Sequence, residues 1–192
     1  LGYAHPRLNA ALNTRIASGV IHTSNLFVIP DQEAAADRVA KITGLDEVFF
    51  CNSGCEANEA AIKVARYYGH QRGIDRPEII VFEKSFHGRT LATLSATASR
   101  KVQAGFEPLV SGFVRAPLND LAAIRTIAAN NKNVVAVMIE PIQGEGGINV
   151  AQLEYLRQLK AICDQHEWLF IADEVQCGVG RTGAWFVYQH AG

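Results

Sequence analysis

The chain has 192 residues, of which 48% are hydrophobic, and a formal net charge of -1. A chain of this length can bury a sizeable core, so it is expected to form one domain or part of a larger one. The near-neutral charge gives no electrostatic reason to expect a nucleic-acid partner. No apolar run approaches the ~20 residues of a membrane span, and no charged-then-apolar leader opens the chain. The sequence therefore predicts a cytoplasmic protein without a membrane partner.

The first quarter of the chain gives one clear helical signal. No periodicity is evident up to Phe27, after which Pro30 and Asp31 start a helical pattern that runs to a stop signal at Gly44. Val48 to Cys51 is short and apolar, which predicts a buried strand. Ser53 and Glu56 have the spacing of a capping box, so a helix is expected to begin there. The small or apolar residues at helical spacing that follow are Ala57, Ala61, Val64, Ala65 and Tyr68.

The remaining elements alternate between strands and helices. Glu78 to Phe82 and Val134 to Ile139 are short, β-branched runs that predict strands. Asn119-Asp120 opens a helix that runs through Ala128, and a second amphipathic helix begins at Leu153. The strand Trp168 to Ala172 follows. This alternation predicts an α/β fold with a mostly parallel sheet and helices on both faces.

The four cysteines form no CxxC pair, and their scatter favours reduced, partly buried thiols over a disulfide framework or a metal site. They are Cys51, Cys55, Cys163 and Cys177.

Asp173 directly follows the last predicted strand. Open α/β sheets bind ligands beyond the carboxyl ends of their strands, so a cationic or metal-bound group is expected to meet this carboxylate. The alternative is an aspartate that only caps the following turn.

A phosphate-binding site is predicted where Ser53-Gly54-Cys55 joins a strand to a helix. Free N–H groups and the positive end of the helix dipole favour an anion there, and Gly54 allows it to approach the backbone. An ordinary N-cap would explain the same three residues.

Two further loops carry charged groups at predicted strand ends. Phe86-His87-Gly88-Arg89 joins an aromatic ring, an imidazole and a guanidinium suited to bidentate capture of a carboxylate. The segment from Glu140 to Gly147 holds two acids, Glu140 and Glu145, among three glycines. A solvated arginine, a structural histidine and solvent-facing acids are the alternatives. The predicted topology places both loops at the same sheet edge as Asp173.

Two nucleotide-binding motifs are disfavoured. Gly178 to Gly183 matches GxGxxG, but Asp173 to Cys177 separate it from its strand, and the given sequence ends before the position expected for a ribose-binding acid. The apolar strand followed by Asp173-Glu174 also resembles the metal-and-water site of an ATPase. That interpretation is disfavoured because the phosphate-binding pattern GxxxxGK[ST] of such enzymes does not occur in the sequence.

Four segments, taken in order, resemble the large domain of class III, pyridoxal-phosphate-dependent aminotransferases. They are NSGCEANEAAIKVAR, FHGRT, EPIQGEGG and DEVQCGVGRTG. The resemblance covers essentially the whole chain and is strongest to the N-acetylornithine enzymes, to which His22 to Phe27 is also similar. It implies the fold-type I, aspartate aminotransferase-like architecture. It further implies that residues 1–30 form an N-terminal segment near the active site and that residues 31–192 form an incomplete cofactor-binding domain.

The resemblance also implies a cofactor site for pyridoxal 5′-phosphate. Gly54 and Cys55 would bind its phosphate, Cys55 standing where relatives often have a small residue. Phe86 would stack on the pyridine ring, with Val175 beneath it, and Gln176 would reach the phenolic oxygen. Asp173 would pair with the ring nitrogen and stabilise its protonated form, which makes the ring a better electron sink. The full set is Ser53, Gly54, Cys55, Phe86, Asp173, Glu174, Val175 and Gln176.

On the substrate side, the resemblance implies that Arg89 holds an α-carboxylate and that Glu140 and Glu145 border the substrate. The implied reaction, a step of arginine biosynthesis, moves the δ-amino group of N-acetylornithine to 2-oxoglutarate and yields glutamate. Ornithine, succinylornithine and 4-aminobutyrate enzymes share the cofactor machinery. A homodimer with sites completed across its interface is also implied.

One family feature lies outside the sequence. The Schiff-base lysine of these enzymes follows the DEVQ segment, whereas all six lysines here precede it. We therefore expect that lysine downstream of Gly192, in which case residues 1–192 are an inactive fragment. A non-catalytic protein of the same fold, serving as a binding or regulatory partner, is the alternative.

Overall fold

The computed structural model describes residues 2–19, 23–24 and 26–192. It comprises two compact units, the first ending at Val48 and the second running from Phe49 to Gly192. Among the described residues, no helix is both long and apolar enough to cross a membrane.

The first unit contains two helices, α1 (Pro6–Ala17) and α2 (Pro30–Thr43). Each has proline in its first turn, where the missing N–H costs no helical hydrogen bond. Helix α2 ends as predicted at Gly44, whose φ of 71° is the left-handed cap that glycine favours. The interpretation that the segment up to Phe27 lacks periodicity is wrong, because α1 is helical and its Leu8, Leu12 and Ile16 recur every four residues. These three apolar side chains are exposed. His22 and Asn25 lie outside the described residues.

The second unit alternates helices with short strands. Its α-helices are α3 (Gly54–Gln71), α4 (Leu91–Ala96), α5 (Arg100–Gln103), α6 (Leu121–Asn130) and α7 (Leu153–Gln165). A 3₁₀ helix, Val187–His190, follows near the end of the chain. Its strands are β1 (Glu78–Phe82), β2 (Phe113–Ala116), β3 (Val134–Ile139), β4 (Ile142–Gln143), β5 (Asn149–Val150) and β6 (Leu169–Ala172).

Four of these strands form one parallel sheet in the order β2-β1-β3-β6, and β4 pairs with β5 in a small antiparallel ribbon. Ile80 of β1 lies between Val114 of β2 and Val137 of β3, and Met138 of β3 pairs with Ile171 of β6. The bounds of β1 and β3 are those predicted. The sequence-based expectation of a parallel sheet is confirmed.

Helices cover both faces of this sheet, as predicted. Alternate residues of a strand point to opposite faces. Ile80 therefore packs on one face with Ile124 of α6 and Leu159 of α7. Ile79 packs on the other face with Ile62 and other residues of α3.

Two local predictions are wrong. Val48 to Cys51 has no regular structure, and Phe49 is 72% exposed. An extended segment becomes a strand only when a neighbour accepts its hydrogen bonds, and no described strand pairs with it. On α3, Val64 is 60% exposed whereas Ile62 is buried, because small residues do not determine which face turns inward. Several short elements were not predicted, since each is too short to show a period: β2, β4, β5, α4, α5 and the 3₁₀ helix.

Candidate functional site

The carboxyl ends of β1, β3 and β6 meet at one edge of the sheet and lead into a cavity. This is the geometry expected of parallel strands, whose carboxyl ends carry ligand sites. The cavity has a volume of about 270 Å³ and is lined by Gly54, Cys55, Asn58, Phe86, His87, Gly88, Arg89, Glu140, Asp173, Val175 and Gln176.

Asp173 is the buried acid of this cavity. It directly follows β6, and its backbone N–H donates to the carbonyl of Ile139 at 2.7 Å, which fixes its place beside β3. Its Oδ2 accepts from Nδ2 of Asn58 and pairs with Nδ1 of His87, each at 2.8 Å. Its Oδ1 accepts from the backbone N–H of Val175 at 3.2 Å. These hydrogen bonds hold the carboxylate in one orientation.

His87 is buried against Asp173. Because a carboxylate only accepts, the hydrogen bond between them requires a proton on Nδ1. The peptide N–H of His87 donates to Thr97 Oγ1 at 2.9 Å, and its carbonyl accepts from Asn58 at 2.8 Å. Its Nε2 is buried without a hydrogen-bond partner among the described residues. Buried polar atoms usually have a partner, and a ligand or an ordered water in the cavity would supply one for this atom.

Asn58 lines the cavity but was not singled out from the sequence. It lies one turn after Gly54 on the inward face of α3, together with Ile62, Ala65 and Gly69. A polar residue at this spacing on a buried helix face is the signal that could have identified it.

The amino end of α3 faces the same cavity. Ser53 is the N-cap and accepts from the N–H of Glu56 at 3.2 Å, as predicted. The returning bond of the capping box is shifted by one residue, since Glu56 accepts from the N–H of Asn52 at 2.6 Å. A Cβ at Gly54 would lie 2.6 Å from Cγ1 of Val175. Glycine at this position therefore allows the Val175 side chain to pack against the first turn of α3.

Cys55 is held between the start of α3 and the loop that leads to α4. Its Sγ lies 3.4 Å from Thr90 Oγ1 and 3.3 Å from Thr93 Oγ1. Burial raises the pKa of this thiol, but the hydrogen bonds outweigh that effect and lower the pKa. Gly88 has a φ of 139°, and a Cβ there would come within 2.7 Å of Cys55 Sγ. The glycine therefore permits the close approach of this loop to α3.

Phe86 and Arg89 form the exposed side of the cavity. The Arg89 guanidinium lies 5.9 Å from the centroid of the Phe86 ring, within the range of a cation–π contact. Arg89 is exposed, so an anion that enters from solvent can reach its guanidinium.

Glu140 is a second buried acid, at the carboxyl end of β3. Its Oε2 accepts from the peptide N–H of Phe86 at 2.7 Å. Desolvation by burial raises the pKa of Glu140 to about 7, and the hydrogen bond from Phe86 opposes this rise. The carboxyl group therefore positions the backbone of Phe86. Its pKa of about 7 means that this same group changes charge near neutral pH.

This shift predicts a pH-dependent stability that the variant Glu140→Gln removes. The folded protein binds the Glu140 proton more tightly than the unfolded chain, where the pKa is near its ordinary value of 4.5. The free energy of unfolding therefore falls as the pH rises from the pKa of Glu140 in the unfolded chain to its pKa in the folded protein. The total loss is about 3 kcal/mol. A neutral amide at this position has no proton to lose and can still accept from Phe86.

Urea unfolding of the full-length apoprotein from about pH 5 to about pH 8 measures this effect. Relative to wild type, Glu140→Gln should gain stability steadily across that range. The exposed Glu145→Gln variant serves as the control and should follow the wild-type curve. Parallel pH curves for Glu140→Gln and wild type would contradict the assignment.

Three predicted site residues do not line this cavity. Ser53 only caps α3. Glu145 is exposed and borders a neighbouring cavity of about 410 Å³, which it shares with Arg89. The Glu174 carboxylate accepts from the N–H groups of Val187 at 2.7 Å and Tyr188 at 3.0 Å, and so fixes the 3₁₀ helix. The predicted roles of these three residues in binding stay predictions.

No lysine lines the cavity, although all six lysines lie within the described residues. No cluster of three or more potential metal ligands was found in the described part of the chain.

Comparison with known proteins gives consistent matches over the whole chain. Residues 1–192 match the family model described as aminotransferase class-III. Acetylornithine aminotransferase from Nitrosomonas europaea is 58% identical over 191 residues, which cover 100% of this chain and 48% of that protein. The chain thus spans about half the length of the curated relatives that it matches.

Two solved structures share this fold. N-acetylornithine aminotransferase from Stenotrophomonas maltophilia is 37% identical with a TM-score of 0.82, and the match covers 100% of this chain and 47% of that one. Ornithine aminotransferase from Toxoplasma gondii is 33% identical with a TM-score of 0.92, and the match covers 99% of this chain and 45% of that one. The Toxoplasma structure is described as having PLP at partial occupancy at the protein active site.

Proposed function

The chain belongs to the class III aminotransferases, and on that premise we propose that its cavity binds pyridoxal 5′-phosphate. We further propose that the full-length protein transfers the δ-amino group of N-acetylornithine to 2-oxoglutarate. One observation carries the first proposal: a single cavity is lined both by the buried carboxylate of Asp173 and by Gly54 and Cys55 at the amino end of α3. A ligand with a cationic ring nitrogen at one end and a phosphate at the other fits that pair.

The groups at the two ends of the cavity match the two ends of this cofactor. Backbone N–H groups at the start of a long helix favour a phosphate, and Gly54 and Cys55 bring the first turn of α3 into the lining of the cavity. At the opposite end, an ionised Asp173 would pair with a protonated ring nitrogen and favour its charged form. The orphaned Nε2 of His87 gives this wall a further polar atom that has no partner among the described residues.

The bound cofactor would supply an electron-accepting ring that withdraws the electron pair released when the C–H bond beside the amino group breaks. The chain's own residues hold and orient the reactants. Asp173 would accept the ring N–H, Phe86 and Val175 would pack against the two ring faces, and Gln176 would hydrogen-bond the phenolic oxygen. Glu140 keeps the backbone of Phe86 in place through its hydrogen bond.

Substrate choice follows from Arg89 and from the names of the relatives. Arg89 at the exposed side of the cavity would grip the α-carboxylate of N-acetylornithine while the distal amine reacts. Glu140 and Glu145 would border the substrate. 4-Aminobutyrate has no α-carboxylate for this grip. Several relatives that are 46–58% identical are named acetylornithine aminotransferase, which favours N-acetylornithine over ornithine or succinylornithine.

The proposed reaction also needs a lysine amine to hold the cofactor and move the proton. None of the residues that line the cavity supplies one. This observation keeps a second candidate function open, namely a non-catalytic protein of the same fold. The gene beyond codon 192 distinguishes the two: an in-frame lysine-glycine pair supports the transaminase, and a stop codon directly after codon 192 contradicts it.

Cytoplasmic location and a homodimer belong to the same proposal. All four cysteines are unpaired, which fits a reducing compartment. Val64 and Tyr67 expose apolar surface on the outer face of α3, which would suit contact with a second copy. The placement of residues 1–30 beside the active site also stays a prediction.

Titration of the full-length apoprotein with pyridoxal 5′-phosphate tests the proposal. A saturable change in visible absorption is expected, followed by glutamate formation when N-acetylornithine and 2-oxoglutarate are added. Absence of cofactor binding would overturn the cavity assignment. Binding without glutamate formation would overturn the proposed reaction.

A further inference from the structure

Asp173 uses one of its oxygens for the protein and leaves the other more open. An ionised carboxylate offers about four lone-pair sites. Asn58 and His87 both bond to Oδ2 at 2.8 Å and so occupy its two sites. Oδ1 has only the longer bond from Val175, at 3.2 Å. Of the four lone-pair sites of this carboxylate, three therefore have a partner among the described residues. The fourth, on Oδ1, has none among them.

Asn58 connects three elements at this point. It is buried on α3, and its Nδ2 donates both to Asp173 Oδ2 and to the carbonyl of His87, each at 2.8 Å. Both amide hydrogens are thereby used. The same group that orients the carboxylate also holds the loop that carries His87, so its two partners cannot move independently.

We propose that Asn58 is a positioning residue for the site: by holding Oδ2 of Asp173, it presents Oδ1 to the nitrogen of the bound ring. The inference rests on the proposed function, since it concerns how Asp173 meets the cofactor. Asn58 itself acts through Asp173. The other titratable groups that line this cavity are Cys55 on α3, His87 and Arg89 after β1, and Glu140 at the end of β3.

Only an amide satisfies this arrangement. Leucine has a similar volume but no donor, so Asn58→Leu would leave Oδ2 with His87 alone and let the carboxylate rotate. Aspartate would place a second acid about 3 Å from Asp173, and two carboxylates at that distance share a proton. The first variant tests orientation and the second tests charge.

The expected kinetics distinguish positioning from general damage to α3. In the full-length holoenzyme, Asn58→Leu should lower kcat about tenfold or more and leave KM within about twofold, because the lost bond is to a charged group. Asn58→Asp should move the acid limb of the kcat–pH profile upward by about one pH unit or more. Ile62→Val, at a core position one turn further along α3, is the matched control and should leave kcat and the pH profile unchanged.

A spectroscopic readout accompanies the kinetics. The pH dependence of the visible band of the bound cofactor should shift in both Asn58 variants and stay at the wild-type position in Ile62→Val. Wild-type kcat, pH profile and spectrum in Asn58→Asp would overturn the inference, whether or not Asn58→Leu folds. Equal changes in Asn58→Leu and Ile62→Val would overturn it as well. Failure of the wild-type apoprotein to bind pyridoxal phosphate is a different result, which overturns the proposed function.

Discussion

Asp173→Asn should lower kcat of the full-length enzyme by about 10³-fold, since it removes a charge aimed at the reacting system. The structure gives the reason in detail. Two donors, from Asn58 and His87, converge on the Oδ2 position. The amide oxygen of the variant would occupy that position, which places its NH₂ group at the Oδ1 position, where it would lose the long bond from the N–H of Val175 and face the ring nitrogen. That group donates and so favours the unprotonated ring, the weaker electron sink.

The cofactor dissociation constant should change much less than kcat, because the phosphate site at the start of α3 is intact. Single-turnover kinetics and a titration of the apoprotein measure the two quantities separately. Asp164→Asn, an exposed position on α7, is the control and should behave as wild type. If Asp173→Asn retained kcat within about tenfold, the electrostatic role would be wrong.

Arg89→Lys should reduce kcat/KM for N-acetylornithine by about 10- to 100-fold. Lysine keeps the positive charge but cannot form two parallel hydrogen bonds with a carboxylate. It also lacks the planar guanidinium that lies over the Phe86 ring at 5.9 Å. The loss should therefore appear even at saturating cofactor.

Steady-state kinetics with N-acetylornithine measure the effect. Arg125→Lys provides a matched change on α6, at a separate cavity, and should leave kcat/KM unaltered. Unchanged kinetics in Arg89→Lys would remove Arg89 from the substrate site.

The elements predicted correctly are those whose signals are local. Glu78 to Phe82 and Val134 to Ile139 are continuous β-branched runs, and Gly44 is a stop signal that needs only its own left-handed φ. Val48 to Cys51 has an equally apolar sequence but no strand. Strand formation depends on a distant partner, which no local pattern reveals.

The candidate site shows the same difference between local signals, which the sequence reveals, and contacts between distant segments, which it does not. The carboxyl ends of the parallel strands bring Asp173, Arg89 and Glu140 to one cavity, as the topology predicted. Sequence alone could not show that Glu174 accepts from Val187 and Tyr188, because their segments meet only after folding. It also did not reveal Asn58, whose importance depends on which face of α3 turns inward.

The most direct measurement is a crystal structure of the full-length protein with pyridoxal 5′-phosphate bound. Oδ1 of Asp173 should lie within hydrogen-bond distance of the ring nitrogen, and the phosphate should contact the N–H groups of Gly54 and Cys55. A cofactor bound elsewhere, or a ring nitrogen that does not reach Asp173, would contradict the assignment of this cavity.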